Sequence, residues 1–289
     1  MKNRIVYTLL VLFSGFVSLG CGTTKTLPAT KTATVYRTEK TTLANKKPVD
    51  TTQQKVIDST AKKIAVTNVE IVTIKPSIHK TWTLLLQKHV NKNGDVNYVG
   101  FKKDIDSLNS YLSTLEKNIP AETSSREQKL AYWINVYNAF TVKLILNNYP
   151  LKSIKDIKKP WSQRFFKLGE KWYNLNEVEH KILRKMNEPR IHFAIVCASV
   201  SCPKLQNTAF EEATLEEQLQ EATQTFLNDA TKNKITSQKL EISLIFKWFA
   251  KDFKQKGSII DFIKPYMEEE IPENTKISYQ KYNWQLNGS

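Results

Sequence analysis

Apolar residues recur with helical spacing along much of the chain after residue 76. In one segment Trp82, Leu85, Leu86 and Val90 share a face, and this spacing predicts a helix that packs by that face. In a second segment the apolar positions recur every three or four residues and stop before a proline, which indicates another amphipathic helix. These positions are Phe101, Ile105, Leu108, Leu112 and Leu115.

The segment 127–148 has a different pattern, because apolar residues occupy nearly every angle around its helical wheel. Between Leu130 and Leu146 the only charge is Lys143. The segment is too short and too interrupted by amides to span a membrane, so it predicts a buried central helix. Asn135 and Asn138 lie on one side of it and need hydrogen-bond partners, so we expect each to bind the backbone or a site residue.

Shorter apolar runs predict strands. Phe193 to Cys197 is continuously apolar, which favours a strand buried on both faces, followed by a turn to Pro203. Hairpins are predicted at 164–173 and 235–242, a closing strand at 277–286, and further helices at 175–186, 215–227, 245–253 and 259–267. The pattern predicts an α+β fold, with the central helix packed on a small mixed or antiparallel sheet and surrounded by helices.

One acidic residue interrupts the apolar face of the helix predicted at 175–186. Glu179 lies inside the apolar arc, and His180 lies at its edge. An unpaired buried carboxylate is costly, so Glu179 must be paired or protonated. Arg190, His192 and Lys204 are its candidate partners, and an ion pair with Arg190 would be a purely structural role.

The stretch from Arg190 to Pro203 contains one histidine and both cysteines outside the leader. On a strand, His192 and Cys197 would face opposite sides, whereas Cys202 can fold back through small residues such as Ser201. We expect Glu179 and these sulfurs to meet in one pocket. The candidate catalytic residues are Glu179, His180, His192, Cys197 and Cys202, and the candidate binding residues are Asn135, Asn138, Arg190 and Ser201.

The first 20 residues have the features of an export leader: Lys2 and Arg4, then an apolar run that ends at Gly20, with Cys21 directly after it. The segment resembles a bacterial lipoprotein signal, although Ser18 departs from the usual pattern. The resemblance implies lipid on Cys21 and a membrane anchor, with the periplasmic face of the outer membrane favoured. An ordinary secretory leader is the alternative. Residues 21–75 then form a Thr- and Lys-rich tether, and 76–289 the globular domain.

The formal net charge is +15, and part of it lies in the leader and the tether. Such a chain attracts anionic lipid or an anionic envelope polymer without sequence specificity, and a peptide ligand is the other candidate partner. Export and the lack of a basic-aromatic motif argue against nucleic acid as a partner. No phosphate-binding loop or paired-histidine motif indicates a cofactor.

Three internal motifs, with two weaker ones after them, resemble the family called domain of unknown function 547. They are Tyr132-Trp-Ile-Asn-Val-Tyr-Asn-Ala139, Val178-Glu-His-Lys-Ile-Leu-Arg184, Pro189-Arg-Ile-His-Phe-Ala-Ile-Val-Cys-Ala-Ser-Val-Ser-Cys-Pro203, Phe246-Lys-Trp-Phe-Ala-Lys-Asp-Phe253 and Tyr282-Asn-Trp-Gln-Leu-Asn287. The resemblance covers about residues 82–287 and places the candidate residues at motif positions, but the family has no established activity.

Four functional interpretations follow from these residues. The first is a binding or scaffold module with a structural Cys197–Cys202 disulfide, which an oxidising envelope favours. The second is a hydrolase or transferase resembling papain-like or transglutaminase-like enzymes, with a cysteine nucleophile, a histidine base, Glu179 as orienter and Asn135 or Asn138 at the oxyanion. The third is a redox-active thiol pair. A metal site from His180, His192 and the cysteines has suitable ligands, but no known zinc spacing.

Overall fold

A computed structural model of the chain describes residues 76–289, which lie within the unit Val69–Ser289. The predicted leader, Cys21 and the tether lie outside the described residues. Within the described part, no helix is both long and apolar enough to cross a membrane.

Ten α-helices and five short strands make up the described part, joined by 3₁₀ and π turns. The helices are α1 (Lys80–His89), α2 (Tyr98–Lys103), α3 (Ile105–Lys117), α4 (Arg126–Asn148), α5 (Leu175–Glu177), α6 (Ile191–Ala194), α7 (Leu215–Leu227), α8 (Ile245–Trp248), α9 (Ala250–Phe253) and α10 (Ile259–Ile263). The strands are β1 (Phe166–Leu168), β2 (Lys171–Tyr173), β3 (Lys234–Ile235), β4 (Lys239–Ile242) and β5 (Lys276–Tyr279). The predicted α+β class is confirmed.

Helix α4 is the centre of the larger of two hydrophobic cores, as its sequence pattern predicts. Ser125 caps its N-terminus, since the Ser125 hydroxyl accepts a hydrogen bond from the backbone N–H of Gln128. The residues of α4 from Leu130 to Val142 are all buried. Helices α2 and α3 pack on it, and α1 packs on α2 and α3 in the same core. The β1–β2 hairpin also covers it, since the Phe140 and Phe166 rings stack with centroids 3.8 Å apart.

The second core is built around a small mixed sheet. Strand β3 pairs antiparallel with β4, and β4 pairs parallel with β5. Leu240 and Ile242 of this sheet pack with buried side chains of α7, α8, α9 and α10. Phe193 on α6 and Phe246 on α8 are among the largest side chains of this core. The chain segment after α6 therefore runs where the two cores meet, since Ala194 to Val196 belong to the first core.

The strand predicted for Phe193 to Cys197 is wrong. Residues Ile191–Ala194 form α6, and residues 195–197 have no sheet partner. The Asn138 side chain replaces a sheet partner, because its amide donates to the Ala194 carbonyl at 2.9 Å and accepts from the Val196 N–H at 2.9 Å. The continuous apolar run correctly predicts that this segment is buried. It does not distinguish a strand from a buried helical turn followed by irregular chain.

The helix predicted at 175–186 is present but is not a regular α-helix. It consists of α5, a π turn at Val178–Ile182 and a 3₁₀ turn at Leu183–Met186. The predicted helix at 245–253 is divided into α8 and α9. The predicted closing strand is confined to β5, and the irregular chain beyond it pairs with the turn after Cys197 through a Ser199–Leu286 bridge.

Candidate functional site

A cavity of about 270 Å³ lies beside the π turn and the segment that follows α6. All five candidate catalytic residues of the sequence line it, and they come from separate parts of the chain. The remaining walls are mostly aromatic. The lining residues include Tyr137, Trp161, Glu179, His180, His192, Cys197, Cys202, Trp248, Phe249, Tyr282 and Trp284.

Glu179 is only 8% exposed, and the π turn directs it into the cavity. A π turn is often found at functional sites, because it shifts side chains from their α-helical positions. The Tyr137 hydroxyl donates a hydrogen bond to Glu179 Oε2 at 3.2 Å. Burial raises the pKa of this carboxyl to about 7, and the hydrogen bond from Tyr137 and the charge of Arg184 only partly oppose that rise.

The ion pair between Glu179 and Arg190 that the sequence offered as a structural role is absent. Arg190 binds Glu188, with Nε at 2.8 Å from Oε1, and Glu216, with an Nη at 2.6 Å from Oε1. Charged or titratable groups near Glu179 instead come from four elements: Tyr137 on α4, Arg184 on its own segment, Asp252 on α9 and Tyr282 near the C-terminus.

His192 is held in the cavity wall by an acidic partner. Its Nε2 lies 2.8 Å from Asp252 Oδ2, and its ring stacks on Phe249 with centroids 3.9 Å apart. Burial lowers the pKa of His192, although the hydrogen bond to Asp252 opposes the change. Burial also disfavours the charge on Asp252, but the hydrogen bonds from His192 and Arg184 hold its pKa well below the usual range.

Arg184 joins this pair to His180. It binds Asp252 through two parallel hydrogen bonds, Nε to Oδ2 at 2.6 Å and Nη2 to Oδ1 at 2.9 Å. Its Nη1 donates to His180 Nδ1 at 2.8 Å, so that nitrogen acts as an acceptor. Burial and the Arg184 charge both lower the pKa of His180, which favours the neutral ring.

Cys197 and Cys202 form the predicted disulfide, which is confirmed. Cys202 is 4% exposed, whereas Cys197 is half-buried and faces the cavity. The Cys197 backbone N–H donates to Cys202 Sγ at 2.8 Å, and the Tyr282 hydroxyl lies 3.3 Å from each sulfur. Because both sulfurs are bonded, neither is a thiolate nucleophile or a metal ligand in this oxidised state.

Sequence reasoning missed the aromatic wall and Asp252. Tyr282 packs against Trp284 and Trp248 with ring centroids 4.5 and 4.8 Å away, and Trp161 lies 5.7 Å from Trp284. Lys155 Nζ stands 3.9 Å above the Trp284 ring. The last two motifs contain Trp248, Asp252, Tyr282 and Trp284, but their local spacing predicts only a packed helix face and a closing strand.

The four candidate binding residues do not line the cavity. Asn135 exchanges hydrogen bonds with the Phe210 backbone, donating at 2.7 Å and accepting at 3.0 Å. Asn138 holds the segment after α6, Arg190 binds its two carboxylates, and Ser201 Oγ accepts from the Asn283 N–H at 2.8 Å. In the described residues each therefore fixes a chain segment. The two asparagines bind backbone, which was one of their two expected partners.

Metal ligation has no support within residues 76–289, where no group of three or more His, Cys, Asp or Glu side chains is placed to hold an ion. Asp252 is hydrogen-bonded to His192 and to Arg184, and arginine is not one of these metal-binding residue types. The buried polar groups of the cavity are instead paired with one another.

Residues 121–227 match the model of a family described as "Protein of unknown function, DUF547". The family resemblance drawn from the motifs is thereby confirmed, and the matched range includes α4, the π turn and the disulfide. Trp248, Asp252, Tyr282 and Trp284 lie beyond the matched range. No curated protein and no solved structure matches the chain, so the comparison with papain-like and transglutaminase-like folds stays a hypothesis.

Proposed function

We propose that this chain, which carries a DUF547 domain, is a binding module of the bacterial envelope that holds one ring of an anionic envelope glycan in its aromatic cavity. The observation that carries the proposal is the convergence of all five sequence motifs on that cavity. Tyr137 comes from the first motif, Glu179 from the second, Cys197 from the third, Trp248 from the fourth and Trp284 from the fifth.

The size and surface of the cavity suit a single ring. Its volume of about 270 Å³ is close to the lower end of small-molecule sites, which start at about 300 Å³. Indole and phenol rings offer rigid apolar faces with polar edges, and Trp161, Trp248, Tyr282 and Trp284 supply four of them. Such faces suit the apolar side of a sugar ring.

The polar groups of the cavity complement a hydroxylated, acidic ligand. Protonated Glu179 both donates and accepts hydrogen bonds, so it suits sugar hydroxyls. Lys155 above Trp284 places a cation beside the aromatic wall, where a carboxylate on the ligand would be attracted. These features favour an anionic glycan over an uncharged apolar compound.

A cysteine-dependent hydrolase or transferase is the less favoured alternative. His192 is oriented by Asp252 as a catalytic base would be, but the disulfide leaves no free thiol for attack on a substrate. In the binding function, the disulfide fixes the turn 197–202 against Tyr282 and so shapes the cavity wall.

The proposed location follows from the leader pattern. We propose export, lipidation of Cys21 and anchoring at the periplasmic face of the outer membrane, with residues 21–75 as the tether. A domain held there meets envelope glycans at high effective concentration, which makes a shallow single-ring site useful despite modest affinity.

The test is a titration of the oxidised mature protein with soluble peptidoglycan disaccharide–peptide fragments, followed by tryptophan fluorescence and calorimetry. We expect saturable binding that Trp284→Ala weakens about 10-fold or more, since that change removes roughly 1.4 kcal/mol of stacking. The matched control is Trp172→Ala, because Trp172 is 53% exposed on β2 and does not line the cavity.

The control variant should bind like the wild type. Absence of binding at millimolar fragment, or equal losses in the two tryptophan variants, would contradict the proposal.

A further inference from the structure

We propose that the Cys197–Cys202 disulfide is also a thiol–disulfide exchange site for a dithiol partner, in which Cys197 is the sulfur attacked and Cys202 the sulfur that leaves. This activity goes beyond ligand binding. It rests on an asymmetry between the two sulfurs in exposure and in hydrogen bonding.

The exposure of the two residues determines which sulfur a partner can reach. Both cysteines line the cavity, but Cys202 is only 4% exposed, whereas Cys197 is half-buried. Exchange requires an in-line approach of the attacking thiolate to one sulfur, so the accessible sulfur becomes the site of the mixed disulfide. Cys197 meets this requirement better.

The hydrogen bonds determine which sulfur leaves best. Cys202 Sγ accepts a hydrogen bond from the Cys197 backbone N–H at 2.8 Å, whereas Cys197 Sγ lies 3.1 Å from the Ser199 hydroxyl. The Tyr282 hydroxyl lies 3.3 Å from each sulfur, so the backbone N–H is the donor that distinguishes Cys202. The Ser199 hydroxyl donates to the Tyr282 oxygen at 3.3 Å, so the Tyr282 proton is left for a sulfur. Donors at a developing thiolate lower its pKa, and a sulfur of lower pKa leaves faster.

Glu179 lines the same cavity as the two cysteines and is the proton donor that we assign to the exchange. Its side chain is buried with Tyr137 as its hydrogen-bond donor, and it is not neutralised by an ion pair with Arg190. A buried carboxyl group whose pKa is close to neutral pH is suited to protonating a thiolate that forms in a closed site. Glu179 would then regain its proton from the thiol of the partner.

The reaction balances without any group beyond the dithiol. One thiolate of the partner bonds to Cys197 Sγ, and the electron pair of the broken S–S bond goes to Cys202 Sγ. The second thiolate attacks the partner's own sulfur in the mixed disulfide and releases Cys197. The partner loses two electrons and two protons and becomes a disulfide, and Cys197 and Cys202 gain them as two thiols.

The first test is reduction of the folded, full mature chain by dithiothreitol at pH 7, with the new thiols counted by alkylation and mass spectrometry. We expect both cysteines to become alkylated without denaturant, while the near-ultraviolet circular dichroism stays native. A disulfide that is reduced only in denaturant would overturn the proposal.

The second test determines which sulfur is attacked. Oxidised glutathione should form a mixed disulfide with Cys197 in Cys202→Ser about 10-fold or more faster than with Cys202 in Cys197→Ser, because the reagent reaches the buried Cys202 sulfur poorly and access outweighs its lower pKa. Equal rates, or faster reaction of Cys202, would contradict the assigned roles.

The third test concerns the proton donor. The ratio of the reduction rates of wild type and Glu179→Gln should be about 10 or more at pH 6 and fall as pH rises through 7, where the donor ionises. Taking the ratio removes the ionisation of the reagent. Glu177→Gln is the matched control, because Glu177 is buried on the same segment but pairs with Arg164 and Lys171. A ratio that stays constant with pH would exclude Glu179 as donor.

These outcomes are independent of glycan binding, which is measured on the oxidised protein. Glycan binding without thiol–disulfide exchange would support the proposed function and exclude the exchange site. Exchange without glycan binding would support the exchange site and exclude the proposed function.

Discussion

Glu179 illustrates how a single residue departs from the pattern of its neighbours. Its position inside an apolar arc predicted that it is paired or protonated, and the structure favours protonation near neutral pH. The reason is that its hydrogen-bond partner, Tyr137, is neutral, while the nearby cation Arg184 is already bound to Asp252. Desolvation therefore outweighs attraction.

Stability should depend on pH through this residue. The pKa of Glu179 in the folded protein is raised from 4.5 to about 7, so between these values the folded state binds more protons than the unfolded state. The contribution of Glu179 to the free energy of unfolding should be fully present below pH 4.5. It should decrease by at most about 3 kcal/mol as pH rises to 7, and it should change little at higher pH.

Glu179→Gln should remove this decrease, and Glu177→Gln should retain it. Urea denaturation at several pH values between 4.5 and 8 measures the effect. If the free energy of unfolding depends on pH in the wild type as it does in Glu179→Gln, the decrease does not come from Glu179.

At the scale of elements, α4 shows how buried amides replace a missing sheet. Its Asn135 and Asn138 side chains bind the backbones of two segments that have no strand partner. Buried backbone groups need partners, and each amide supplies both a donor and an acceptor. The central helix therefore determines the path of the chain into the cavity wall.

Asn138→Ala should destabilise the protein by about 2–4 kcal/mol, because it leaves the Ala194 carbonyl and the Val196 N–H buried without a partner. Asn148→Ala is the control: Asn148 is exposed on the same helix and donates to the Leu144 carbonyl. The control should change stability by less than about 0.5 kcal/mol. Equilibrium urea unfolding compares the two variants, and equal losses would show that the Asn138 contacts are not the cause.

At the scale of the whole molecule, the site forms where two cores meet. Tyr137 and Ile195 belong to or adjoin the first core, whereas Ile245 and Phe249 belong to or adjoin the second. Chain segments from both cores, together with the C-terminal residues Tyr282 and Trp284, complete the cavity. No single core could supply all of its walls.

The organisation of the full chain predicts a lipid anchor. Cells fed a labelled fatty acid should incorporate it into the wild-type protein, and Cys21→Ser should lose the label and leave the membrane fraction. Cys202→Ser should keep the label, because it does not alter the leader. A cleaved but unlabelled wild-type product would instead support an ordinary secretory leader.

The sequence alone determined the features that depend on local spacing. Helical periodicity identified α1, α3 and α7, the even distribution of apolar residues identified α4 as central, and Glu179 stood out against its own helix face. These inferences succeed because periodicity records which side of an element leaves water. The proximity of Cys197 and Cys202 was similarly within reach, since only four residues separate them.

Only the tertiary structure decided the path of the chain between Phe193 and Cys197 and which residues line the cavity. An apolar run reports burial but not the partner that satisfies its backbone, and here the partner is an amide on α4. Asp252, Trp248 and Trp284 reach the site through contacts between distant segments, and local spacing carries no record of such contacts. The pairing of Arg190 with Glu188 and Glu216 was hidden for the same reason, because charge attracts whichever partner the fold brings near.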